Sequence, residues 1–336
     1  MVKQALVIYN PSSVTQVGPD AWLGEIVHRI CFDGGYRVNV LATEPNMRHD
    51  SLTESEIAAN DLIIAAGGDG TIRLVLGTLA HLKLPLPVAI MPLGTGNQLA
   101  RNLSIYEDHL LVDSLNNALN VALKGVPIPI DLGLMNGEYF AVAAGAGPMS
   151  DAVLIPNRSE KATWKMLAYM SSMVQTFALP PVVFRLAVDG EEFRVTASGL
   201  FVTNIADLGV GKLSDSAVLD DGFLDLCILN PRNFKDYLTL GFRFAGGFVG
   251  GEAPYYIKKV RAVDVEVEPV ASRLSRVQRL GQRIRGFMRG ETVEDRPVFQ
   301  KVTAMIDGDP CGTTPMHIEV VPQAVNVLVS KRRGQE

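Results

Sequence analysis

The chain has 336 residues, of which 47% are hydrophobic and 20% are charged, and its formal net charge at pH 7 is −5. This length predicts two domains, the apolar content excludes a disordered chain, and the negative charge argues against nucleic acid as a partner. Cys31, Cys227 and Cys311 are scattered, without the spacing of a zinc site or a disulfide framework. Because neither a secretory signal nor a transmembrane run is visible, we expect a cytoplasmic protein that meets any membrane from its surface.

Strand and helix patterns alternate over residues 1–127. Apolar runs predict four strands, at Leu6–Tyr9, Tyr36–Leu41, Leu62–Ala66 and Val88–Met91. Helical periodicity occurs at Trp22–Ile30, after the Gly67–Thr71 loop and at Asp113–Leu123. The alternation predicts a doubly wound α/β domain, with the third strand buried on both faces of a parallel sheet.

The pattern changes after Lys124-Gly125. Asn-Gly and Asp-Gly pairs, typical of hairpin turns, now separate the apolar runs. Strands are predicted at Val182–Val188, Phe193–Asn204, Phe223–Leu229 and Val260–Glu268, and one helix at Lys161–Phe177. We therefore expect a β-rich sandwich domain over residues 128–317. The last run, within residues 318–330, either closes this domain or returns to the first.

An arginine-rich segment, residues 271–300, interrupts the second half. Its arginines, from Arg273 to Arg289, are interleaved with apolar residues at near-helical spacing. Three interpretations stay open: a solvated helical insertion, an arm that lies on anionic phospholipid, and a surface for a protein partner.

Two glycine-rich loops follow neighbouring strands of the first half. Gly67-Gly68-Asp69-Gly70-Thr71 comes after the third strand and Pro92-Leu93-Gly94-Thr95-Gly96-Asn97 after the fourth. Glycines allow the backbone to approach a phosphate and to point N–H groups at it. Ligands of doubly wound sheets bind beyond the carboxyl ends of the strands, so we expect both loops to line one crevice, with Asn10–Ser13 as a third wall.

Asp69 lies in the middle of the first loop. A carboxylate there would repel a triphosphate unless it holds Mg²⁺ or accepts a proton, and phosphoryl transfer needs both functions. The alternative is a structural role, as the cap of the helix that begins near Gly70-Thr71.

These motifs resemble the catalytic domain of the diacylglycerol kinase family, which includes sphingosine and ceramide kinases and bacterial lipid kinases. The resemblance extends through Asp131-Leu132-Gly133, Leu219–Asp225 and Asp307-Gly308-Asp309. It implies an N-terminal α/β domain related to that of NAD kinases, a β-rich C-terminal domain, and ATP in the cleft between them. It also implies transfer of the γ-phosphate to a lipid hydroxyl at the membrane surface, and it is compatible with a homodimer.

The resemblance further implies a set of site residues. Nucleotide contacts would fall on Asn10, Ser12, Thr43, Gly67, Gly68, Asp69, Gly70, Thr71, Gly94, Thr95 and Asn97. Asp131 would join Asp69 around a catalytic Mg²⁺, and either Asp69 or Asp309 would accept the hydroxyl proton. A structural Mg²⁺ would be held at Val218, Asp221 and Phe223.

The chain departs from the family's motifs at several positions. Arg73 stands where the family has Asn, Gln98 where it has an acidic residue, and Asp309 where it has Glu. Two other functions therefore stay open: phosphate transfer to a soluble acceptor, since NAD kinases share Gly-Gly-Asp-Gly, and a catalytically silent lipid- or nucleotide-binding module.

Overall fold

The computed structural model describes residues 2–13, 19–106, 114–147, 181–208, 213–214, 217–231, 236, 255–268 and 301–331. The helix expected at 161–177 and the arginine-rich segment at 271–300 lie outside these residues. Within the described ranges, none of the helices combines the length and apolar character that a membrane span requires.

The first half alternates strands and helices as predicted. Its elements are β1 (Lys3–Tyr9), α1 (Pro19–Phe32), β2 (Tyr36–Ala42), α2 (Glu54–Ile57), β3 (Leu62–Gly67), α3 (Asp69–Leu82), β4 (Pro87–Pro92), α4 (Gln98–Asn102) and α5 (Ser114–Lys124). The strands pair in parallel in the order β2-β1-β3-β4. Every residue of β3 is buried, as its uninterrupted apolar sequence predicts.

The helices cover this parallel sheet. The chain moves one way along the sheet from β1 to β2 and the other way from β3 to β4, so right-handed crossovers put α1 and α3 on opposite faces. α5 packs on β4 and touches α1, whereas α3 packs on β3. The carboxyl ends of β3 and β4 are left uncovered for the two glycine loops.

The second half is built of strands. They are β5 (Val126–Met135), β6 (Glu138–Phe140), β7 (Ala143–Ala146), β8 (Val182–Val188), β9 (Glu191–Ala197), β10 (Gly199–Thr203), β11 (Leu224–Leu229), β12 (Tyr255–Val260), β13 (Ala262–Val267), β14 (Thr303–Ile306), β15 (Asp309–Thr313) and β16 (Met316–Val329). Three predicted strands have different bounds: the run Phe193–Asn204 is divided at Ser198 between β9 and β10, β11 begins at Leu224 instead of Phe223, and Val260 ends β12 instead of starting β13.

Two sheets result, and this confirms the predicted fold class. Among the described residues, an antiparallel sheet has the order β12-β11-β10-β7-β14-β15, and a mixed sheet continues from β4 through β16, β13 and β8 to β9. β16 pairs in parallel with β4 at Asn326 and Val327, and antiparallel with β5 and β13. The last apolar run was expected either to close the second domain or to return to the first. β16 does both, because it pairs with β4 of the first half and with β5 and β13 of the second.

Candidate functional site

The two glycine loops begin at the same level of the sheet. Gly67, the last residue of β3, is in register with Pro92, the last of β4. The N–H of Leu93 donates to the Gly67 carbonyl at 2.9 Å. A Cβ on Gly94 would overlap the Cα of Gly68. The loops thus meet backbone against backbone, and only glycine fits at Gly94 without displacing the other loop.

Side-chain hydrogen bonds connect the two glycine loops, Gly67–Thr71 and Pro92–Asn97, which together form a double loop. Asn97, which adopts a positive φ of 49°, accepts the Gly94 N–H at 3.0 Å through Oδ1 and donates to the Gly94 carbonyl at 2.8 Å through Nδ2. Asp69 Oδ1 accepts the N–H of Gln98 at 2.8 Å. Asp69 is the first residue of α3, so the helix start that its carboxylate caps is that of α4 and not that of its own helix.

The partly buried Asp69 and the buried Asp307 interact electrostatically. Burial is the main cause that raises the pKa of Asp69 to about 6; the Asp307 carboxylate raises it further, and the Gln98 N–H opposes the shift. Asp307 is 8% exposed. Burial raises its pKa as well, against the opposing effects of Arg73 and of backbone N–H groups.

The turn between β14 and β15 brings Asp307 to this place. Asp307 and Gly308 have positive φ angles of 47° and 89°, as a tight hairpin requires. The Asp307 carboxylate accepts three N–H groups at 2.9–3.0 Å, from Ala141, Val142 and Ala143. The hairpin is therefore fixed against the chain that leads into β7, with Asp307 turned inward.

A cleft of about 850 Å³ opens in front of the double loop. Its lining includes most of the expected nucleotide contacts, namely Asn10, Ser12, Thr43, Gly68, Asp69, Gly70, Thr71, Gly94 and Thr95, and the expected proton acceptor Asp309. Gly67 and Asn97 lie behind this lining, where they support the loops. The volume is within the range of small-molecule sites in proteins.

The first turn of the chain forms the third wall. The Asn10 N–H donates to the Ala66 carbonyl at 3.1 Å, and Asn10 Oδ1 accepts the Ser12 N–H at 2.8 Å. Ser13 Oγ is buried and has no hydrogen-bond partner among the described residues. A buried hydroxyl without a partner costs free energy, so this wall has a polar atom that a bound ligand could satisfy.

Asp131 is placed elsewhere, at the junction of the two halves. Its Oδ1 accepts the Gln323 N–H and its Oδ2 the Gly222 N–H, both at 2.7 Å. Burial raises the pKa of Asp131, and Asp221 and Asp220 add to the shift. The residue is not part of the cleft lining. The structure therefore does not bring Asp131 together with Asp69, as the resemblance had implied.

The turn around Asp221 is held by contacts within the protein. Asp221 Oδ1 accepts the Phe223 N–H at 3.0 Å, and Oδ2 is bound by the ammonium group of Lys259. The guanidinium of Arg261 lies 4.8 Å from the centroid of the Phe223 ring, and Val218 is 47% exposed. The Lys259 ammonium therefore competes with any cation for the Asp221 carboxylate, and the structural Mg²⁺ at Val218, Asp221 and Phe223 stays a prediction.

Gln98 has a structural role that its sequence position did not reveal. Its side chain is buried, and Nε2 donates to the Leu208 carbonyl at 2.6 Å. Asn102, one turn later, donates to the Asp207 carbonyl at 2.8 Å and accepts the Asp207 N–H at 3.1 Å. An acidic residue at position 98 could not donate while ionised, so the amide ties α4 to the segment after β10.

The cleft also contains residues that the sequence did not indicate: Glu44, Asn46, Met47, Leu74, Asp307 and Gly308. Asp307 and Gly308 immediately precede Asp309 in one motif, and this proximity in the sequence was the available signal for them. Glu44, Asn46 and Met47 follow Thr43 after β2, and no residue type there indicates a ligand.

Comparisons with known proteins agree with this architecture. The family described as Diacylglycerol kinase catalytic domain matches residues 4–135, and the YegS C-terminal NAD kinase beta sandwich-like domain matches residues 142–329. A diacylglycerol kinase of Bacillus subtilis (strain 168) is 31% identical over 243 residues, which cover 71% of this chain and 78% of the relative. One from Staphylococcus aureus (strain Newman) is 30% identical over 244 residues, 70% of this chain and 73% of that one.

Solved structures show the same fold. A diacylglycerol kinase structure from Bacillus anthracis str. Sterne has a TM-score of 0.67 at 18% identity, and a second structure from that organism has 0.71 at 20%. Each comparison covers 98% of both chains. At these identities the likeness concerns the fold alone.

Proposed function

The chain belongs to the diacylglycerol kinase catalytic domain family, and from this premise we propose that it transfers the γ-phosphate of ATP to a hydroxyl group of a lipid. One observation supports this proposal above the others: two glycine loops pack backbone to backbone at the base of a cleft, with the carboxylate of Asp69 between them. Phosphoryl transfer requires such a cradle of N–H groups together with an acidic side chain.

ATP would occupy the cleft with its phosphates at the double loop. The backbone N–H groups of Gly68 and Gly70 would face the phosphates, and the Thr95 side chain would position them. Ser13 Oγ, which no described residue satisfies, would gain a partner from the nucleotide. The cleft is large enough for a nucleotide and part of an acceptor.

The donor set at the phosphates fits a Mg²⁺ ion that arrives with the nucleotide. Asp69, Asp307 and Asp309 all line the cleft, and Mg²⁺ in kinase sites is held by one or two carboxylates, water and substrate phosphates. Among the described residues, no cluster of three or more His, Cys, Asp or Glu could hold a metal by itself. When bound, Mg²⁺ would neutralise charge on the phosphates; Asp69 is the residue that we propose as its carboxylate ligand.

The proton of the acceptor hydroxyl would pass to a carboxylate of the cleft. Asp69 has a pKa near 6 and lies at the loops, but its Oδ1 is engaged by the Gln98 N–H. Asp309 belongs to the hairpin between β14 and β15, and its Oδ2 lies 3.9 Å from the position of a Cβ on Gly70. We assign Asp69 to the nucleotide, because it joins the two glycine loops, and Asp309 to the proton, because it belongs to the hairpin and not to the loops.

The lipid would be met at the cytoplasmic membrane surface. This part of the proposal follows from the family, whose named relatives are diacylglycerol kinases. We propose that residues 161–177 and the arginine-rich segment 271–300 present the protein to anionic phospholipid, the latter through its positive charge and apolar residues. Both segments lie outside the described residues, and a homodimer remains compatible with the proposal.

The test is transfer of labelled γ-phosphate from ATP to a panel of acceptors in mixed micelles. The panel contains diacylglycerol, phosphatidylglycerol, a sphingoid base, an isoprenol and NAD. We expect one of the lipids to be labelled and Asp69→Asn to abolish labelling, while Asp50→Asn, at an exposed position outside the cleft, retains it. Labelling of NAD alone would identify a soluble acceptor. Calorimetric binding of ATP–Mg²⁺ without transfer to any acceptor would indicate a silent binding module.

A further inference from the structure

Arg73 and Asp309 form an ion pair across the cleft wall. Arg73 lies on α3, one helical turn after Asp69, and Asp309 begins β15 in the antiparallel sheet. One terminal nitrogen of Arg73 donates to Asp309 Oδ2 at 3.0 Å, and the other donates to the Ile306 carbonyl at 2.9 Å. Two positions at which the sequence departs from the family's motifs are therefore in direct contact.

The two partners are held to different degrees. The Arg73 side chain is 22% exposed and is anchored to backbone, and it lines a cavity of about 80 Å³ that shares Gly70 and Leu74 with the main cleft. The Asp309 side chain is 56% exposed. An exposed carboxylate has several rotamers, whereas a guanidinium with two fixed donors selects one position for its partner. Arg73 is the group that restricts Asp309.

The position selected for Asp309 is at the phosphate cradle. Its Oδ2 lies 3.9 Å from the place of a Cβ on Gly70, in the middle of the first glycine loop. The Asp307 carboxylate of the same hairpin accepts three backbone N–H groups and is buried. The Asp309 carboxylate is exposed to the cleft. Arg73 bonds to Oδ2, and no described residue donates a hydrogen bond to Oδ1.

We propose that Arg73 is a positioning residue that holds the Asp309 carboxylate, as proton acceptor, over Gly70; this inference rests on the proposed kinase function. In the step that it serves, the acceptor oxygen forms a bond to the γ-phosphorus and the bond from that phosphorus to the β–γ bridging oxygen breaks. The electron pair leaves with ADP, and the hydroxyl proton passes to Asp309 and then to water. Asp is one methylene shorter than Glu, so its carboxylate extends less far from the backbone. The hydrogen bond from Arg73 fixes the position of the Asp309 carboxylate at that shorter distance.

A double-mutant cycle tests the inference in the full-length protein. Arg73→Met, Asp309→Asn and the double variant are compared with the wild type for kcat and for the KM of ATP and of the lipid. We expect Asp309→Asn to lower kcat by roughly 10²-fold or more and Arg73→Met by roughly 10-fold or more, with the KM of ATP changed by no more than about twofold. Adding Arg73→Met to Asp309→Asn should cost less than about threefold, since Arg73 then has no carboxylate to position.

Two further variants keep the outcome specific. Arg73→Lys should recover part of kcat, because an ammonium can hold Asp309 but not Ile306 at the same time. Arg37→Met, at an exposed position on β2, is the control for loss of an arginine. Circular dichroism and calorimetric ATP binding establish that each variant is folded.

The contrary results are distinct. Equal losses from Arg73→Met in the wild-type and Asp309→Asn backgrounds would mean that Arg73 acts on the phosphate and not through Asp309, and would overturn the inference. An active wild type whose kcat is unchanged by Arg73→Met would do the same while leaving the proposed function intact. A wild type that labels no acceptor would overturn the proposed function itself.

Discussion

At the residue scale, Asp69 shows how one side chain can be both structural and chemical. Its carboxylate joins the two glycine loops by accepting the Gln98 N–H, and the burial that this position imposes raises its pKa to about 6. A carboxyl group in a cleft whose pKa lies near neutral pH is suited to bind a metal ion or a proton. The same burial also makes Asp69 a cost to stability when it is ionised.

The sign of that cost gives a testable prediction. The native pKa of Asp69 is raised from 3.8 to about 6, so its favourable contribution is complete below pH 4 and is lost as the pH rises through 6. Asp69→Asn does not titrate, and it keeps an oxygen for the Gln98 N–H. Relative to the wild type, the variant should therefore gain about 1–3 kcal/mol of unfolding free energy between pH 4.5 and pH 8. Urea unfolding at the two pH values measures this difference, and an equal difference at both would contradict it.

Single residues of the site were predictable to different degrees. Asp69, Gly94 and Thr95 were found because their motifs are short and their spacing is local. Asp307 was missed, since its importance arises from three N–H groups more than 160 residues earlier in the chain. Asp131 belonged to a recognised motif, but its partners Gly222 and Gln323 come from distant turns. Only the tertiary fold brings such partners together.

At the element scale, the two glycine loops behave as one unit. Each follows a parallel strand, and the register of Gly67 with Pro92 starts them at the same height. The alternation of strands and helices predicted this arrangement before any contact was known. It could not reveal the backbone contact between Gly68 and Gly94, which depends on how closely two loops approach.

The contact between Gly68 and Gly94 predicts that the substitution Gly94→Ala, which adds one methyl group, will be destabilising. Gly94→Ala would place a Cβ into the Cα of Gly68, so the loops must separate. We expect a loss of about 1–3 kcal/mol of unfolding free energy and a weakening of ATP binding, measured by urea unfolding and calorimetry. Gly24→Ala is the matched control, because its Cβ would meet no atom within 4 Å on α1, and it should be neutral or stabilising. Unchanged ATP affinity in Gly94→Ala would count against the cradle.

The turn at Asp221 leads to a prediction about metal dependence. The Lys259 ammonium binds the carboxylate that the resemblance assigned to Mg²⁺. We expect the melting temperature of the wild type to be the same in EDTA and in excess Mg²⁺ when no nucleotide is present. Lys259→Met should cost about 0.2–1 kcal/mol, since it leaves a partly exposed carboxylate without its counter-charge. Lys258→Met, whose side chain points to the other face of β12, is the control. A wild type that EDTA destabilises would show that the site holds a metal.

At the scale of the whole molecule, the two halves share a strand. The composition of residues 128–317 correctly predicted a β-rich half, but a pattern of apolar residues cannot say which sheet the last strand joins. β16 pairs with β4 of the parallel sheet and with β5 and β13 of the second half. Val327, fully buried, lies between Val88 and Ile128 in the register of those pairs. The boundary between the halves is thus crossed inside one sheet.

This sharing predicts cooperative unfolding. Loss of either half removes hydrogen-bonded neighbours of β16 and so destabilises the other half. We expect calorimetry to show one transition, and hydrogen exchange to show that the amides of β3 and β10 lose protection together in denaturant. Two separate calorimetric transitions, or exchange of one strand well before the other, would refute this expectation.

The position of β16 also determines how a substrate could enter. The hairpin that carries Asp307 and Asp309 reaches β16 after only two residues, Thr314 and Pro315, and β16 is hydrogen-bonded beside the strand that ends in the second glycine loop. Floor and roof of the cleft are therefore joined through β16, whose pairing with β5 shifts register between Val321 and Val325. If the cleft binds a nucleotide as proposed, we expect exchange to proceed by rearrangement of the rims, such as the Asn10–Ser13 turn and the residues after β2, while β16 keeps the Asp309 hairpin attached to the sheet of the glycine loops.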